Sequence, residues 1–388
     1  MIRERLANAE NQFVRQSPQL DADLLLCHVL GVSRTWLFLH DDVVLMKAQE
    51  EAVADAVEKR LSGLPVAYIT GVKEFYGRNF FVSQDVLIPK PDTELLVEKA
   101  VAYAKAALSE ARNSGGEADF EAERSRLGAG AESKRQFRFA DICTGSGCIA
   151  ISVLAELFAV PEDICDSVSR GLEKSSGQSG CASDVFARIH ADATDISSAA
   201  LAVAQKNAET LLGGAALSSL RFYEGDLCNP LMAGGGSKDA PCDGECADRG
   251  DVSDGCGASD VCGASECGTT NSEQIPKYDM VLSNPPYVPA AVTDELLKDG
   301  RGEPRLALDG DTDSALGGEQ SSDGLAIIRR LIPQVKEILL PGGVFFMETG
   351  EYNAEKAAEY LSKCGFTDIV IHRDLAGQLR LVESYREK

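Results

Sequence analysis

The stretch best suited to chemistry is Asn284-Pro285-Pro286-Tyr287, which follows the largely apolar run Tyr278–Leu282. Proline lacks an amide hydrogen and has a fixed φ, so a proline pair cannot continue a central strand or enter a helix interior. The pair also pushes Asn284 into an extended conformation. The sequence therefore predicts a stiff turn at the carboxyl end of a strand. Its amide side chain and aromatic ring suit a flat, polar, weakly nucleophilic ligand group.

A second candidate is the glycine-bearing stretch Asp141-Ile142-Cys143-Thr144-Gly145-Ser146-Gly147, where a predicted strand turns into a helix. Two glycines let the backbone approach a ligand, and the helix that follows offers free amides. The third glycine of the dinucleotide fingerprint is missing, which disfavours a dehydrogenase. An acid at the strand end, Asp141, suits a cofactor with positive charge or amino groups, such as S-adenosylmethionine. A purely structural glycine turn is the alternative.

An acid also follows the next predicted strand. Asp195 is placed to accept hydrogen bonds from ribose hydroxyls, a role usually taken by an acid about 20 residues after the glycines. Asp195 lies 48 residues after Gly147, but 22 of these belong to a low-complexity segment, Asp163–Asp184. Without that segment the spacing is close to the usual one. Asp192 is the fallback for this role, and capping a helix is the alternative role for Asp195.

The third predicted strand ends at Asp226 and Leu227. Asp226 could reach an adenine amino group, and Leu227 could pack on the adenine ring. All these strand ends share with Asn284 the carboxyl edge of one sheet, where open α/β sheets bind their ligands.

The elements that must position these residues begin at Phe137, where predicted strands and helices alternate. Such alternation indicates a parallel, doubly wound sheet. The predicted strands are Phe137–Ile142, Phe186–Thr194, Leu220–Glu224, Tyr278–Leu282 and Gly343–Glu348, and the predicted helices are Cys148–Ala159, Ser197–Leu212, Gly324–Leu339 and Asn353–Lys363. The segments Asp368–Ile371 and Leu379–Tyr385 predict an edge hairpin.

The first 70 or so residues predict a small helical domain, since apolar residues recur at helical spacing without strand alternation. Glycine and aromatic residues over Leu64–Gly71 and Glu74–Val82 predict a hairpin. Asp92 or Thr93 then caps a predicted helix, Glu94–Leu108. We divide the chain into a helical domain at 1–72 that docks the substrate, a hairpin linker at 73–92 and an α/β domain at 93–388. A helical bundle without chemistry of its own is the alternative for the first domain.

Three stretches rich in Gly, Ser, Ala and acidic residues predict disordered surface insertions: 110–134, 163–184 and 233–274. The last holds five of the 12 cysteines, with irregular spacing and no tight pairs. Structural metal sites usually show such pairs, so no metal is expected.

The composition argues against a nucleic-acid substrate and against a membrane-spanning segment. The formal net charge of −23 and the lack of a Lys/Arg cluster argue against a nucleic-acid substrate. No apolar run approaches the roughly 20 residues needed to span a bilayer. The sequence therefore predicts a cytoplasmic protein without membrane contact.

The chain resembles the bacterial protein-(glutamine-N5) methyltransferases of peptide chain release factors. The resemblance covers most of the chain outside the insertions and rests on Pro65–Gly71, Glu74–Gly77, Leu87–Glu94, Thr144–Gly147, Asn284–Tyr287, Glu303–Leu308 and Asp374–Gly377. The Asn-Pro-Pro-Tyr turn also occurs in amino-methyltransferases of DNA. The helical domain joined to the Ile-Pro-Lys-Pro segment makes the match specific.

The resemblance implies a Rossmann-like domain that binds S-adenosylmethionine and a helical domain that contacts the release factor. Its implied substrate is the glutamine of a Gly-Gly-Gln loop. By position, Cys143 to Gly147 and Asp195 would hold the cofactor, Leu227 would lie beside adenine, and Asn284 to Tyr287 would hold the glutamine. Cys143 stands where the family commonly has glycine, and Lys90 replaces a usual arginine. We expect a monomer.

In the mechanism that follows, the Asn284 side-chain oxygen and the Pro285 carbonyl each accept one N–H of the substrate amide. Tyr287 stacks on the amide plane. The main alternative is a nucleic-acid methyltransferase acting on adenine N6 or guanine N2. A catalytically silent adaptor that binds a translation protein is a second alternative.

Overall fold

The helical character expected for the first 70 residues is found in the computed structural model, which describes residues 2–40, 42–113, 136–159, 189–232, 275–311 and 322–388. The helices of this part are α1 (Ile2–Ala7), α2 (Pro18–Leu30), α3 (Arg34–Leu39), α4 (Lys47–Leu61) and α5 (Val66–Thr70). Apolar side chains of α1, α2 and α4 form a small core of their own. A buried ion pair of 2.7 Å between Arg60 and Asp21 links α4 to α2.

The hairpin begins later than the sequence predicts. The prediction of strand over Leu64–Gly71 is wrong, because Val66–Thr70 forms helix α5. Pro65 immediately precedes this helix, and Gly71 ends it in the left-handed conformation at φ 72°. A proline at the start and a glycine at the end favour a helix here over aromatic strand propensity. The antiparallel hairpin consists of β1 (Val72–Phe75) and β2 (Arg78–Phe81).

The α/β domain contains a seven-stranded sheet, which confirms the predicted fold class. Its strands are β3 (Phe137–Ile142), β4 (Ile189–Asp195), β5 (Leu220–Glu224), β6 (Tyr278–Ser283), β7 (Leu339–Glu348), β8 (Phe366–Arg373) and β9 (Leu379–Arg386). Their order is β5-β4-β3-β6-β7-β9-β8. The strands β3 to β7 pair in parallel, and β9 pairs antiparallel with both β7 and β8. The carboxyl ends of β3 to β6 therefore meet at one edge.

Helices cover both faces of this sheet. The helices of this part of the chain are α6 (Glu94–Asn113), α7 (Cys148–Phe158), α8 (Ser198–Leu211), α9 (Gly214–Ser218), α10 (Asn229–Met232), α11 (Ala290–Leu297), α12 (Ala326–Ile338) and α13 (Ala354–Lys363). One buried apolar cluster lies between the sheet and α6 and α7, and a second lies between the sheet and α12 and α13. Neighbouring strand residues such as Phe345 and Phe346 point to opposite clusters.

The predicted insertions fall largely outside the described residues. The segments 163–184 and 233–274 lie outside them completely. Of the segment 110–134, the first four residues continue helix α6 and the rest lies outside. The division of the chain at 72 and 92 stays a prediction.

The described ranges were searched for helices that could span a membrane and for clusters of metal-binding side chains. None of their helices is long and apolar enough to cross a bilayer. They also contain no cluster of three or more His, Cys, Asp or Glu side chains that could hold a metal ion.

Candidate active site

A cleft opens at the carboxyl edge of the sheet. It encloses about 1260 Å³ of space, which includes open solvent at its mouth. The predicted site residues that border it are Cys143, Thr144, Gly145, Ser146, Asp195, Asp226, Leu227, Asn284 and Pro286.

Asp141 lies beneath the glycine-bearing loop instead of bordering the cleft. Its Oδ2 accepts hydrogen bonds from the Thr144 hydroxyl at 2.7 Å and from the Ala150 amide at 3.2 Å. Complete burial raises the pKa of Asp141 to about 7. In this position the carboxyl group shapes the loop from below, and its predicted direct contact with a cofactor stays a prediction.

Backbone contacts hold the loop against the neighbouring strand. The Thr144 amide donates to the Thr194 carbonyl at 2.9 Å, and the Gly145 amide donates to Asp195 Oδ2 at the same distance. Gly147 adopts φ 78°, and a Cβ there would lie 2.8 Å from Ile151. The end of the Ile151 side chain could move aside, but the positive φ would still strain any other residue, which explains why a glycine ends the loop.

Cys143 occupies a backbone conformation that favours glycine. Its φ is 64°, although it carries a side chain. An L-residue costs roughly 1–2 kcal/mol in the left-handed region. A glycine, which the resemblance leads us to expect at this place, would adopt this conformation without that cost.

We expect Cys143→Gly to raise the free energy of unfolding by about 1 kcal/mol, because it removes this strain. Urea denaturation of both proteins measures the change. Cys27→Gly is the matched control, since Cys27 lies inside helix α2 and should lose about 1 kcal/mol there. A Cys143→Gly protein no more stable than the parent would contradict the expected strain.

Asp195 faces the cleft with both oxygens partly engaged. Its Oδ2 accepts from Gly145 and its Oδ1 accepts from the Ser197 amide at 3.0 Å. Burial raises the pKa of Asp195. The helix cap that was the alternative role belongs to Ser197, whose hydroxyl accepts from the Ala200 amide at 3.2 Å. The carboxylate therefore keeps lone pairs for a ligand in the cleft.

The fallback residue, Asp192, forms its hydrogen bonds with other strands of the sheet. It is buried and accepts hydrogen bonds from the Tyr278 hydroxyl at 2.7 Å and from Arg138 at 3.2 Å. It does not border the cleft. Of the two acids, Asp195 is the one placed to meet a ribose.

The far wall of the cleft combines charge with apolar surface. Asp226 forms an ion pair with Arg330 of α12. Leu227 is held at φ 52°, and its carbonyl accepts from the Thr194 hydroxyl at 2.9 Å. Ile327 borders the cleft with them. Sequence reasoning missed Arg330 and Ile327, because the periodicity of α12 indicates only its core-facing side.

The Asn284 turn forms as predicted at the end of β6. Asn284 Nδ2 donates to the Thr93 hydroxyl at 3.2 Å, so its Oδ1 remains as the acceptor. Pro285 is buried, and the Tyr287 hydroxyl donates to Glu348 Oε1 at 3.1 Å. Burial raises the pKa of Tyr287 well above its usual range, so its hydroxyl stays protonated. Asn284 borders the cleft with its Nδ2 bound to Thr93, which leaves Oδ1 as its acceptor, and Glu348 anchors the Tyr287 hydroxyl.

The segment after Pro304 supports this turn. The Val288 amide donates to the Leu308 carbonyl, and the Gly310 amide donates to the Val288 carbonyl, each at 2.9 Å. A Cβ on Gly310 would lie 2.8 Å from the Tyr287 Cα. Close backbone packing of this kind keeps the turn rigid.

The sequence did not predict the ion pair of Lys90 or the burial of Glu348 near the site. Lys90 borders the cleft, and its Nζ donates to the buried Glu303 at 2.6 Å. Glu348 is buried at the end of β7, a predicted strand whose final acid was given no role. The signal that could have found Glu348 is the one that identified Asp195: an acid at the carboxyl end of a strand in this sheet.

Known proteins resemble this chain over most of its length. A family described as PrmC N-terminal domain matches residues 2–71. The chain is 32% identical over 368 residues to the release factor glutamine methyltransferase of Bordetella pertussis, with 95% of each protein covered. It is 29% identical over 389 residues to that of Coxiella burnetii, with 99% of each covered.

Solved structures resemble the chain more distantly. The delta-N METTL16 MTase domain matches at 12% identity and a TM-score of 0.38, covering 86% of this chain and 97% of that one. A methyltransferase from Pyrococcus furiosus matches at 12% identity and a TM-score of 0.36, covering 86% and 100%. A likeness at that level says nothing further about this chain.

Proposed function

Because the chain belongs to the release factor glutamine methyltransferase family, we infer that it methylates the side-chain amide nitrogen of the glutamine in a release factor's Gly-Gly-Gln loop. We propose S-adenosylmethionine as the methyl donor. The observation that carries this inference is the common cleft, which both Asn284 and the glycine-bearing loop border.

The cleft offers groups that match each part of S-adenosylmethionine. The Asp195 carboxylate can accept from ribose hydroxyls, and Asp226 can accept from an adenine amino group. Leu227 and Ile327 provide apolar contact for an adenine ring. When bound, the cofactor supplies a methyl group that its sulfonium has already activated.

The remaining task for the protein is to orient a poor nucleophile. The lone pair of an amide nitrogen is delocalised into its carbonyl. The Asn284 oxygen accepts one substrate N–H, and the Pro285 backbone carbonyl accepts the other. These acceptors would hold the nitrogen in line with the donor and stabilise the positive charge that it gains as the N–C bond forms and the S–C bond of the donor breaks. One N–H proton would then leave the nitrogen for solvent, which restores a neutral amide. Tyr287 and Pro286 complete the glutamine pocket in this proposal.

Mass spectrometry of a release factor after incubation with the protein and S-adenosylmethionine tests the function. We expect the mass increase of one added methyl group on the loop glutamine, and none on a release factor with glutamate at that position. Transfer of radiolabelled methyl groups to DNA or RNA, with the release factor unmodified, would favour the nucleic-acid alternative. The net charge of −23 speaks against that outcome.

The helical domain carries an exposed apolar surface that suits a protein partner. It exposes Phe38 (83%) and Leu39 (73%) at the end of α3, and Val44 (87%) and Met46 (66%) in the segment between α3 and α4. We call these four residues the α3–α4 patch. Contiguous exposed apolar residues commonly mark interaction sites. We propose that the patch docks the release factor and brings its loop to the cleft.

The double substitution Phe38→Ser and Val44→Ser should raise KM for intact release factor about tenfold or more, because it removes two buried anchors from the complex. Activity on a short Gly-Gly-Gln peptide should stay unchanged. Val370→Ser on strand β8 is the matched control, since Val370 is also exposed (47%). Equal KM values for the double variant and the control would remove the patch from the docking surface.

The remaining parts of the proposal concern assembly and location. We propose that the protein acts as a monomer in the cytoplasm, where a translation factor would meet it. Analytical ultracentrifugation at working concentration measures the first point. A stable dimer would contradict it.

A further inference from the structure

Glu348 is a carboxyl group buried directly behind the Asn284 turn. It is 1% exposed at the end of β7, next to β6 in the sheet. Its Oε1 accepts from the Tyr287 hydroxyl at 3.1 Å. Its Oε2 is buried with no hydrogen-bond partner among the described residues. Burying a carboxyl group with only part of its hydrogen bonds costs free energy. An apolar side chain would serve a purely structural purpose better.

Thr93 connects this carboxyl group to Asn284. Thr93 is 2% exposed, and its hydroxyl accepts from Asn284 Nδ2 at 3.2 Å. The same hydroxyl favours the ionised form of Glu348 and lowers its pKa. A hydroxyl has one proton to give and lone pairs to accept. In its contact with Asn284 the hydroxyl accepts, so its proton is unused there, and Glu348 Oε2 lacks a donor among the described residues. If this proton points toward Glu348, the hydroxyl can only accept from Asn284, and the Asn284 oxygen is then left for the cleft.

We propose that Glu348 is a positioning residue for methyl transfer, which orients Asn284 through Thr93 and anchors Tyr287 directly. This inference rests on the proposed function, because the turn that Glu348 orients is the one assigned to the glutamine. Glu348 itself does not border the cleft. It acts by deciding which end of the Asn284 amide the substrate meets.

The protonation state of Glu348 follows from the groups around it. Burial raises its pKa to about 7, while Thr93, Tyr287 and Arg380 lower it and Asp92 raises it. Below that pH the carboxyl group carries a proton and becomes a donor. Glu348 then no longer attracts the Thr93 hydroxyl proton, and the hydroxyl can rotate to donate to the Asn284 oxygen. Ionised Glu348 is therefore the active form, and its fraction grows as the pH rises through 7.

The test measures kcat on intact release factor from about pH 6 to about pH 9. We expect kcat of the wild-type protein to rise through a pKa near 7. Glu348→Gln should lower kcat about 10- to 100-fold, as a misplaced reacting group does, and lose this inflection. KM for S-adenosylmethionine should stay the same, because the cofactor half of the cleft is untouched.

Thr93 provides a second test that leaves Glu348 in place. Thr93→Val keeps the shape but removes the hydroxyl, so it should lower kcat and flatten the pH profile. Thr93→Ser restores the hydroxyl and should restore both. Thr293→Val is the matched control, since Thr293 is also fully buried but lies in helix α11, away from the cleft. It should leave kcat and the pH profile unchanged.

The outcomes separate this inference from the function beneath it. If the wild-type protein leaves the release factor unmodified, the proposed function fails and the inference fails with it. If the wild-type protein is active but Glu348→Gln or Thr93→Val keeps its kcat and its pH profile, only the inference is overturned. Should Glu348→Gln not fold, the comparison of Thr93→Val with Thr93→Ser decides alone.

Discussion

Asn284→Ala should lower kcat for glutamine methylation by about 100- to 1000-fold, the usual loss when a single oriented charge-stabilising group is removed. The reason lies in the geometry of the turn. The Asn284 amide nitrogen donates to Thr93, which leaves Oδ1 as the atom that we expect to accept from the substrate. Alanine leaves one substrate N–H without an acceptor and lets the amide rotate out of line with the donor.

The measurement is a steady-state assay on release factor, with calorimetry for S-adenosylmethionine binding. Cofactor affinity should change little, since Asn284 acts on the other half of the cleft. Asn79→Ala is the matched control, because Asn79 is exposed on strand β2 and away from the cleft. Normal turnover by Asn284→Ala would remove this residue from the chemistry.

Asp195→Ala should weaken S-adenosylmethionine binding about 100-fold. A hydrogen bond to a charged group contributes roughly 1.5–3 kcal/mol, and a ribose presents two hydroxyls. The substitution also frees the Gly145 amide that Asp195 holds at 2.9 Å. The glycine-bearing loop would then lose its link to β4 next to the ligand. Isothermal calorimetry measures this loss directly.

Asp192→Asn provides the contrast. Asp192 is the other acid near this strand end, but it binds Tyr278 and Arg138 inside the sheet. We expect lower stability from Asp192→Asn and unchanged cofactor affinity in the folded protein. If Asp192→Asn weakened binding and Asp195→Ala did not, the assignment of the two acids would be reversed.

Much of the architecture was predictable from patterns within short windows. The alternation after Phe137 gives the parallel sheet, and the proline pair after Asn284 gives the turn at its edge. Both depend on local rules of backbone geometry, so they hold without knowledge of the neighbours. The failure at Leu64–Gly71 is also local, because two helix-boundary residues outweighed aromatic content.

The parts that escaped prediction depend on tertiary contacts. The hydrogen bond between Tyr287 and Glu348 joins residues 61 positions apart, and that between Asn284 and Thr93 spans 191 positions. No periodicity reveals such pairs, since they exist only after the strands have packed side by side. The strained φ of Cys143 could not be predicted for a different reason. A glycine in a sequence can indicate a left-handed conformation, and a cysteine does not.

The pairing of β7 has a consequence for the protein's own synthesis. Glu348 stands opposite Leu381 of β9, so the strand behind the glutamine turn is enclosed only when β9 has been added. Nascent domains leave the ribosome with their N-terminal parts first. The cofactor-side strands β3, β4 and β5 therefore emerge well before the turn can be fixed. We expect the nascent enzyme to be inactive until Leu379–Arg386 has left the exit tunnel. It could then methylate a release factor only after this part of its own chain has been made.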